Sequence, residues 1–249
     1  MPGYLFKHET IAVVGAPDLI IRSLFDRQQF ADPSGHAEAL GISSASWPLF
    51  GLVWPSGLQL AAAMAVRVVR ASERVLEIGC GLGLASLVLH RRGGNVTASD
   101  CHPLAGGFLR ENLRLNALSP MSYCHGHWGA QNAQAAFGPL VDGLFDLIIG
   151  SDVLYERDEE GVLSSFIGRH GSPVCEVMII DPDRGNRSPF HRRMAAMGYS
   201  LEETRIRQPM TARAHAYSGR LLHYRRQEAA VRGERDVALI AGPLPTPWT

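Results

Sequence analysis

The stretch VLEIGCGLGLAS, from Val75 to Ser86, leads an apolar run with an acid near its end into three closely spaced glycines. RVLEIG, residues 74–79, reads as a buried strand, and a helical pattern begins near Leu84, so the glycines lie in a strand-to-helix turn. A turn without side chains lets a ligand press against the main chain, and the amides at the start of the helix point at that ligand. The stretch therefore predicts a ligand site on an α/β sheet.

Strand and helix patterns alternate along the rest of the chain. Strands are predicted at residues 95–100, 121–126, 144–152, 174–181, 199–207 and 217–226, and helices at 84–94, 104–118, 158–171 and 188–198. Such alternation is typical of a doubly wound, mostly parallel sheet with helices on both faces. The last two strands have no helix between them and predict an antiparallel hairpin at the C-terminal end.

The flanking regions predict an N-terminal extension, residues 1–45, a main domain, residues 46–227, and a mobile tail rich in Ala, Gly and Pro, residues 228–249. Within the extension, the stretch 17–30 reads as a helix. A second helix is expected to begin at a capping Ser56 and to place Leu60, Met64 and Val68 on one face.

Composition narrows the function classes. The 249 residues are 46% hydrophobic, enough for one sizeable core, and 24 Lys plus Arg balance 24 Asp plus Glu. A net charge of zero gives no bulk attraction to nucleic acid or to an anionic membrane. The cysteines, in no common zinc spacing, read as reduced thiols, so neither a disulfide nor a metal is expected; they are Cys80, Cys101, Cys124 and Cys175. With no signal segment recognised, we expect a cytoplasmic location.

Two ligand classes use a glycine turn on such a sheet. Dinucleotide sites follow G-x-G-x-x-G, whereas Gly79, Gly81 and Gly83 follow G-x-G-x-G, and Leu84 stands where the third glycine is needed. Glu77 lies two residues before the first glycine, where a carboxylate would repel a pyrophosphate but suits a positively charged amino-acid tail. These features disfavour an NAD-dependent oxidoreductase.

The loop resembles the nucleotide loop of class I, seven-strand S-adenosylmethionine-dependent methyltransferases, in which E-x-G-x-G-x-G closes the first strand. That family carries a second acid at the end of the next strand, where it binds the ribose hydroxyls, and Asp100 in NVTASD stands there. The resemblance implies a Rossmann-like seven-strand fold with S-adenosylmethionine as cofactor. Glu77, Gly79, Gly81, Gly83 and Asp100 would bind it.

Two further elements resemble the family-16 lysine methyltransferases and the bacterial proteins described as predicted nicotinamide N-methylases. FDLIIGSDVLYERD matches a D-x-x-Y element through Asp152 and Tyr155, and WPSGLQLA matches a W-x-x-G-x-x-L-A element through Trp54 and Gly57. The resemblance implies that Asp152 and Tyr155 are catalytic, and that Trp54 and Asp152 also line the cofactor site.

The chain departs from these relatives at two places. Many of them carry an acid after the third strand that bonds the adenine amine, whereas here His127 stands there and Trp128 follows. We therefore expect main-chain groups and the Trp128 indole to hold the adenine. DPDRGNRSPF, after the fifth strand, is closer to the bacterial group than to many lysine methyltransferases.

The acceptor of the methyl group has more than one interpretation at this level. A protein lysine is favoured, a small nicotinamide-like nitrogen compound is the alternative, and a catalytically silent S-adenosylmethionine-binding protein is a third. Asp152 would orient the amine and Tyr155 would form a hydrogen bond beside it. For Asp152 the competing role is a helix cap, and for Tyr155 a core aromatic. The sequence leaves the oligomeric state open.

Overall fold

The computed structural model describes residues 3–70, 72–129, 138–154, 158, 160–210 and 216–227; the predicted tail, 228–249, lies outside them. The strands are β1 Phe6–Ile11, β2 Leu19–Leu24, β3 Arg74–Ile78, β4 Asn95–Asp100, β5 Ser122–His125, β6 Phe145–Ser151, β7 Gly171–Asp181, β8 Ser200–Gln208 and β9 Tyr217–Arg226. The helices are α1 His36–Ala39, α2 Pro55–Val66, α3 Leu84–Arg91, α4 Ala105–Leu115, α5 Val162–His170 and α6 Arg187–Ala196. A short 3-10 helix, Trp47–Gly51, precedes α2.

Seven of the strands form one sheet in the order β5-β4-β3-β6-β7-β9-β8. The five neighbouring strands from β5 to β7 in this order are parallel, and β9 pairs antiparallel with both β7 and β8. The predicted mostly parallel sheet with a C-terminal antiparallel hairpin is confirmed. Strand order reverses between β3 and β6, so the carboxyl ends of these two strands border the crevice where such sheets bind ligands.

The core covers both faces of the sheet, which is why the parallel strands are apolar almost without alternation. In β3, Val75 belongs to the same buried cluster as Leu60 of α2 and Leu87 of α3. Leu76, its neighbour in sequence, belongs to the opposite cluster with Phe166 of α5. Helices on both faces therefore hold the strand ends that carry the site.

The predicted helix at residues 17–30 is wrong, because this segment contains β2, which pairs antiparallel with β1. Leu19 and Ile21 are fully buried whereas Ile20 between them is 43% exposed, which is the two-residue period of a strand. The amide of Ile20 donates to the Asn116 side chain at 3.0 Å, and the amide of Arg22 donates to the Asn112 side chain at 2.7 Å. The β2 edge of the hairpin therefore packs against α4 and against the turn that follows α4.

The expected cap of α2 is also different. Trp54 is the residue before the helix and Pro55 is its first residue, a position that proline favours because the fixed φ suits the helix and the missing amide has no partner there. Ser56 lies inside the helix, buried, with its hydroxyl 3.2 Å from the Tyr217 hydroxyl. Ser56 therefore links α2 to β9 instead of capping the helix.

The apolar stripe of α2 is shorter than expected. Leu60 and Met64 are fully buried as predicted, but Val68 lies beyond the end of the helix and is 71% exposed. The stretch Trp47–Val66 has a mean hydropathy of 1.5, long and apolar enough by composition to cross a membrane. Here its backbone becomes extended at Leu52, between the 3-10 helix and α2, so it is not one continuous helix.

Candidate functional site

The glycine loop follows β3 and has the geometry that the sequence predicts. Gly79, Gly81 and Gly83 have φ of 56°, 52° and 74°, the left-handed region that only glycine adopts without strain. A methyl group at Gly81 would lie 2.8 Å from the carbonyl oxygen of Phe50. The chain's own packing therefore requires a bare backbone at Gly81.

The loop meets two other predicted elements at Gly79. A side chain there would lie 3.1 Å from Val153, which follows Asp152, and 3.7 Å from the Trp128 ring. Three segments distant in sequence, those after β3, β5 and β6, therefore converge at the crevice. Gly57 of α2 borders it as well, since a methyl group there would lie 3.6 Å from the Ser151 hydroxyl.

Two buried polar atoms lie in the segment after β5. Trp128 Nε1 and His127 Nδ1 are shielded from solvent and have no hydrogen-bond partner among the residues that the structure describes. Unsatisfied buried polar groups are costly in a folded protein and are usually satisfied by a ligand or water. An indole N–H and an imidazole next to the glycine loop fit a nitrogen-rich planar group such as adenine, so the residues present suit the expected cofactor.

Glu77 faces the start of α3. Its carboxylate accepts a hydrogen bond of 2.8 Å from the amide of Ser86 and another from the Ser86 hydroxyl. Burial raises the pKa of the Glu77 carboxyl to about 7, although both bonds from Ser86 oppose the rise. Because Ser86 is in the first turn of α3, Glu77 satisfies one helix amide that would otherwise lack a partner. Its predicted role with the amino-acid tail stays a prediction beside this structural one.

Asp100, at the end of β4, joins two loops. One carboxylate oxygen accepts the amide of Gly81 and the other accepts the amide of His102, both at 2.8 Å. Burial raises the pKa of Asp100, and the backbone bonds act against that rise. Each oxygen has a second lone pair for a ribose hydroxyl, so ribose binding stays a prediction and the carboxylate also fixes the glycine loop.

Trp54 is the residue before α2, and its described contacts are with the segment before it and with the N-terminal hairpin. Its indole N–H donates to the carbonyl of Leu49 at 2.8 Å, and the guanidinium of Arg27 lies 5.7 Å from its ring. The ring lines a cleft of about 780 Å³ between the β1–β2 hairpin, α2 and Tyr217. The predicted cofactor contact of Trp54 stays a prediction.

Asp152 follows β6 at the carboxyl edge of the sheet with a φ of 55°, unusual for a residue other than glycine. Its amide donates to the carbonyl of Ile180 at 2.8 Å. Both carboxylate oxygens are taken by Arg184, whose Nε and Nη2 donate at 2.6 and 2.7 Å. The predicted acceptor-orienting residue is therefore already one half of a two-point ion pair.

The helix-cap alternative for Asp152 is wrong. No helix begins at Asp152 in the described part of the segment, and α5 begins at Val162. Its first turn is capped by Asp158, whose carboxylate accepts the amides of Leu163 at 3.0 Å and Ser164 at 3.2 Å. Tyr155, the partner of Asp152 in the predicted catalytic pair, lies outside the described residues.

The structure adds two residues that sequence reasoning did not single out. Arg184 reaches Asp152 across 32 positions, and Asp181 ends β7 next to the end of β6. Both lie in DPDRGNRSPF, a stretch that the sequence marks as different from many lysine methyltransferases. Its charged residues at a strand end were the available signal.

Comparison with known proteins fixes the family. Residues 49–188, more than half of the chain, match the family described as lysine methyltransferase. The electron transfer flavoprotein beta subunit lysine methyltransferase of Xenopus laevis is 29% identical over 167 residues, which span 63% of this chain and 63% of that protein. Its Mus musculus counterpart is 27% identical over 215 residues, spanning 82% of this chain and 77% of that protein.

Solved structures agree on the fold. Magnesium protoporphyrin IX methyltransferase of Synechocystis PCC 6803 with bound S-adenosylmethionine superposes with a TM-score of 0.51 at 17% identity, covering 69% of this chain and 78% of that one. This likeness confirms the predicted Rossmann-like fold. The family match over residues 49–188 confirms the predicted methyltransferase class with its S-adenosylmethionine cofactor, and the chain belongs to the lysine methyltransferase family.

Proposed function

We propose that this protein transfers methyl groups from S-adenosylmethionine to the side-chain amine of a lysine in another protein. The observation that carries the proposal is the family match over residues 49–188, which includes both the glycine loop and Asp152. The relatives are named for the electron transfer flavoprotein beta subunit, which makes that subunit the first acceptor to test.

The cofactor would be held at the crevice beside β3 and β4. Gly79 offers bare backbone, Trp128 and His127 offer unpaired ring nitrogens, and Asp100 offers the second lone pairs of its carboxylate. Glu77 secures α3 so that its amides stay at the loop. When bound, S-adenosylmethionine supplies an activated methyl group on a positively charged sulfur.

The protein's part in the transfer is to position the acceptor amine. A lysine amine is largely protonated near neutral pH, so it arrives as a cation and must lose a proton before it acts as a nucleophile. Carboxylates at the ends of β6 and β7 are suited to receive a cation there. Holding the amine in line with the methyl group removes much of the entropic barrier to reaction.

A labelling experiment tests this function. The protein would be incubated with methyl-labelled S-adenosylmethionine and either the electron transfer flavoprotein beta subunit or a total cell extract. Boiled enzyme and added S-adenosylhomocysteine, the product inhibitor, are the controls. Label recovered as methyl-lysine after protein hydrolysis would support the proposal.

Two other results would replace it. Label found only in low-mass compounds would favour the small nitrogen compound as acceptor. Cofactor binding by calorimetry with no label transferred to any fraction would favour the catalytically silent binding protein. A cytoplasmic location is proposed alongside, and cell fractionation tests it.

A further inference from the structure

Asp181 is a buried carboxylate whose hydrogen bonds are incomplete. It is 1% exposed, and among the described residues neither of its side-chain oxygens has a partner with full hydrogen-bond geometry, although the nearby amide of Asp183 acts against the rise in its pKa. The nearest cation is Arg187, whose Nε lies 3.4 Å from one oxygen without a hydrogen bond between them. Leaving an ionised group in this state costs the fold free energy unless something else supplies a partner.

The position of Asp181 is that of a ligand group. It ends β7, directly beside β6, and the amide of Asp152 bonds the carbonyl of Ile180, the residue before it. Both residues lie at the carboxyl edge of the parallel strands, where ligands bind in such folds. Both carboxylate oxygens of Asp152 accept hydrogen bonds from Arg184, whereas the oxygens of Asp181 have no partner with full hydrogen-bond geometry among the described residues.

The surrounding charges leave one negative charge over. Ion pairs link four carboxylates and three guanidiniums of the described residues at this edge of the sheet. The carboxylates are Asp152, Asp181, Asp183 and Glu203, and the guanidiniums are Arg184, Arg187 and Arg220. His191 also lies 3.8 Å from Glu203, and burial lowers the pKa of this imidazole, which favours its neutral form. With His191 neutral, the excess of one negative charge matches a single incoming cation.

Tyr217 connects this group to the open cleft. It lines the cleft beneath the β1–β2 hairpin. Burial raises the pKa of Tyr217 to about 12, against the hydrogen bond with Ser56, and the charges of Asp181 and Asp152 raise it further. The carboxylates therefore act on a side chain that borders the cleft, although Tyr217 itself is mostly buried.

We propose that Asp181 receives the positively charged amine of the acceptor, beside an Asp152 that Arg184 already holds. The inference rests on the proposed function and sharpens it, because a buried carboxylate whose hydrogen bonds are incomplete selects a cationic amine, such as a lysine side chain, over a neutral nitrogen compound. Burial also raises the pKa of Asp181, as expected for a carboxylate whose charge awaits compensation.

The first test measures amine binding directly. Butylammonium, which has the four-carbon chain and charged amine of lysine, would be titrated in the presence of S-adenosylhomocysteine and followed by saturation-transfer NMR. We expect Asp181→Asn to weaken butylammonium binding about 10- to 100-fold, the range for hydrogen bonds to a charged group. Neutral 1-pentanol should be unaffected. Equal butylammonium binding by wild type and Asp181→Asn would overturn the proposal.

Two variants serve as matched comparisons. Asp146→Asn removes a carboxylate that accepts the Arg74 amide and the Ser172 hydroxyl at the opposite end of β6, and it should leave butylammonium binding unchanged. Arg187→Gln removes the cation beside Asp181 and should tighten butylammonium binding. If Asp181 only stabilised the fold, Arg187→Gln and Asp181→Asn would both weaken binding, and the proposal would be wrong.

Labelling separates this inference from the proposed function. At subsaturating extract protein, label transfer by Asp181→Asn should fall about as far as butylammonium affinity does, while calorimetric affinity for S-adenosylhomocysteine stays within twofold. If wild type labels no lysine, the proposed function fails. If wild type and Asp181→Asn label protein lysine equally, only the role of Asp181 fails.

Discussion

The acidic side chains in the two halves of the crevice have different hydrogen-bond partners. Beside β3 and β4, the carboxylates of Glu77 and Asp100 accept hydrogen bonds from backbone amides of the following helix and loops. Beside β6 and β7, Asp152 bonds the exposed Arg184, and Asp181 has an incomplete set of hydrogen bonds among the described residues. The first half is fixed by main-chain bonds, whereas the second half is held by side-chain charges.

This difference fits the two ligands. A cofactor is the same molecule at every turnover, so a rigid, hydrogen-bonded loop binds it without further ordering. An acceptor arrives as a cation and must be exchanged, and a carboxylate with an incomplete set of partners suits that role. A rigid cofactor half and a charged acceptor half should therefore respond differently to substitution.

The largest effect is expected at Gly81. Gly81→Ala places a methyl group 2.8 Å from the Phe50 carbonyl oxygen at a φ of 52°, and it should lower the free energy of unfolding by about 2–4 kcal/mol. Gly93→Ala is the control, since Gly93 has a φ of 82° with nothing within 4 Å. Chemical denaturation measures both. Equal losses would show that only φ matters and that the loop is not tightly packed.

Asp152→Asn tests the charged half. If Asp152 positions the acceptor, turnover should fall about 100-fold, because a misplaced nucleophile loses the benefit of orientation. Cofactor affinity should barely change. Single-turnover methyl transfer paired with calorimetry gives both numbers.

Asp158→Ala is the matched control for Asp152→Asn. It removes the cap of α5 and should cost about 1 kcal/mol of stability while leaving turnover intact. Full activity in Asp152→Asn would leave the ion pair with Arg184 a purely structural contact.

Asp100→Ala tests the rigid half. Removal of the Asp100 carboxylate should weaken cofactor binding by about 1.5–3 kcal/mol. The substitution also leaves the amides of Gly81 and His102 without their acceptor, so the free energy of unfolding should fall too. Asp146→Ala removes a similar two-bond carboxylate at the far end of the sheet, and should reduce stability without changing calorimetric cofactor affinity. Unchanged affinity in a folded Asp100→Ala variant would place ribose recognition elsewhere.

The smallest effect is a pH dependence at Glu77. Burial raises its folded-state pKa to about 7, above the unfolded value, so the folded protein keeps the proton longer. The contribution of Glu77 to the free energy of unfolding is then greatest at low pH and declines as pH rises, by about 1 kcal/mol between pH 6 and pH 7. Glu77→Gln should remove that share of the slope in denaturation curves. Identical slopes in the two proteins would contradict a proton held at Glu77.

Segments with a local signal were predictable from sequence. NVTASD was expected as a strand at residues 95–100 and is β4, because a short apolar run next to a helix pattern is informative by itself. The helix expected at residues 17–30 was wrong. The apolar run LII fits the period of a helix as well as that of a strand, and only its pairing with β1 makes it a strand. Ser56 as a cap failed since Pro55 already begins the helix.

The glycine loop, the acid that ends β4, the parallel sheet and, through resemblance, the family could be predicted from the sequence, because each depends on residues close together along the chain. The hydrogen-bond partners of the carboxylates could not be predicted in this way. Glu77 meets Ser86, Asp152 meets Arg184, and Asp181 has an incomplete set of hydrogen bonds among the described residues, and no spacing in the sequence predicts these outcomes. The physical reason is that hydrogen-bond partners and burial depend on which strand ends adjoin, and packing of the whole sheet sets that arrangement.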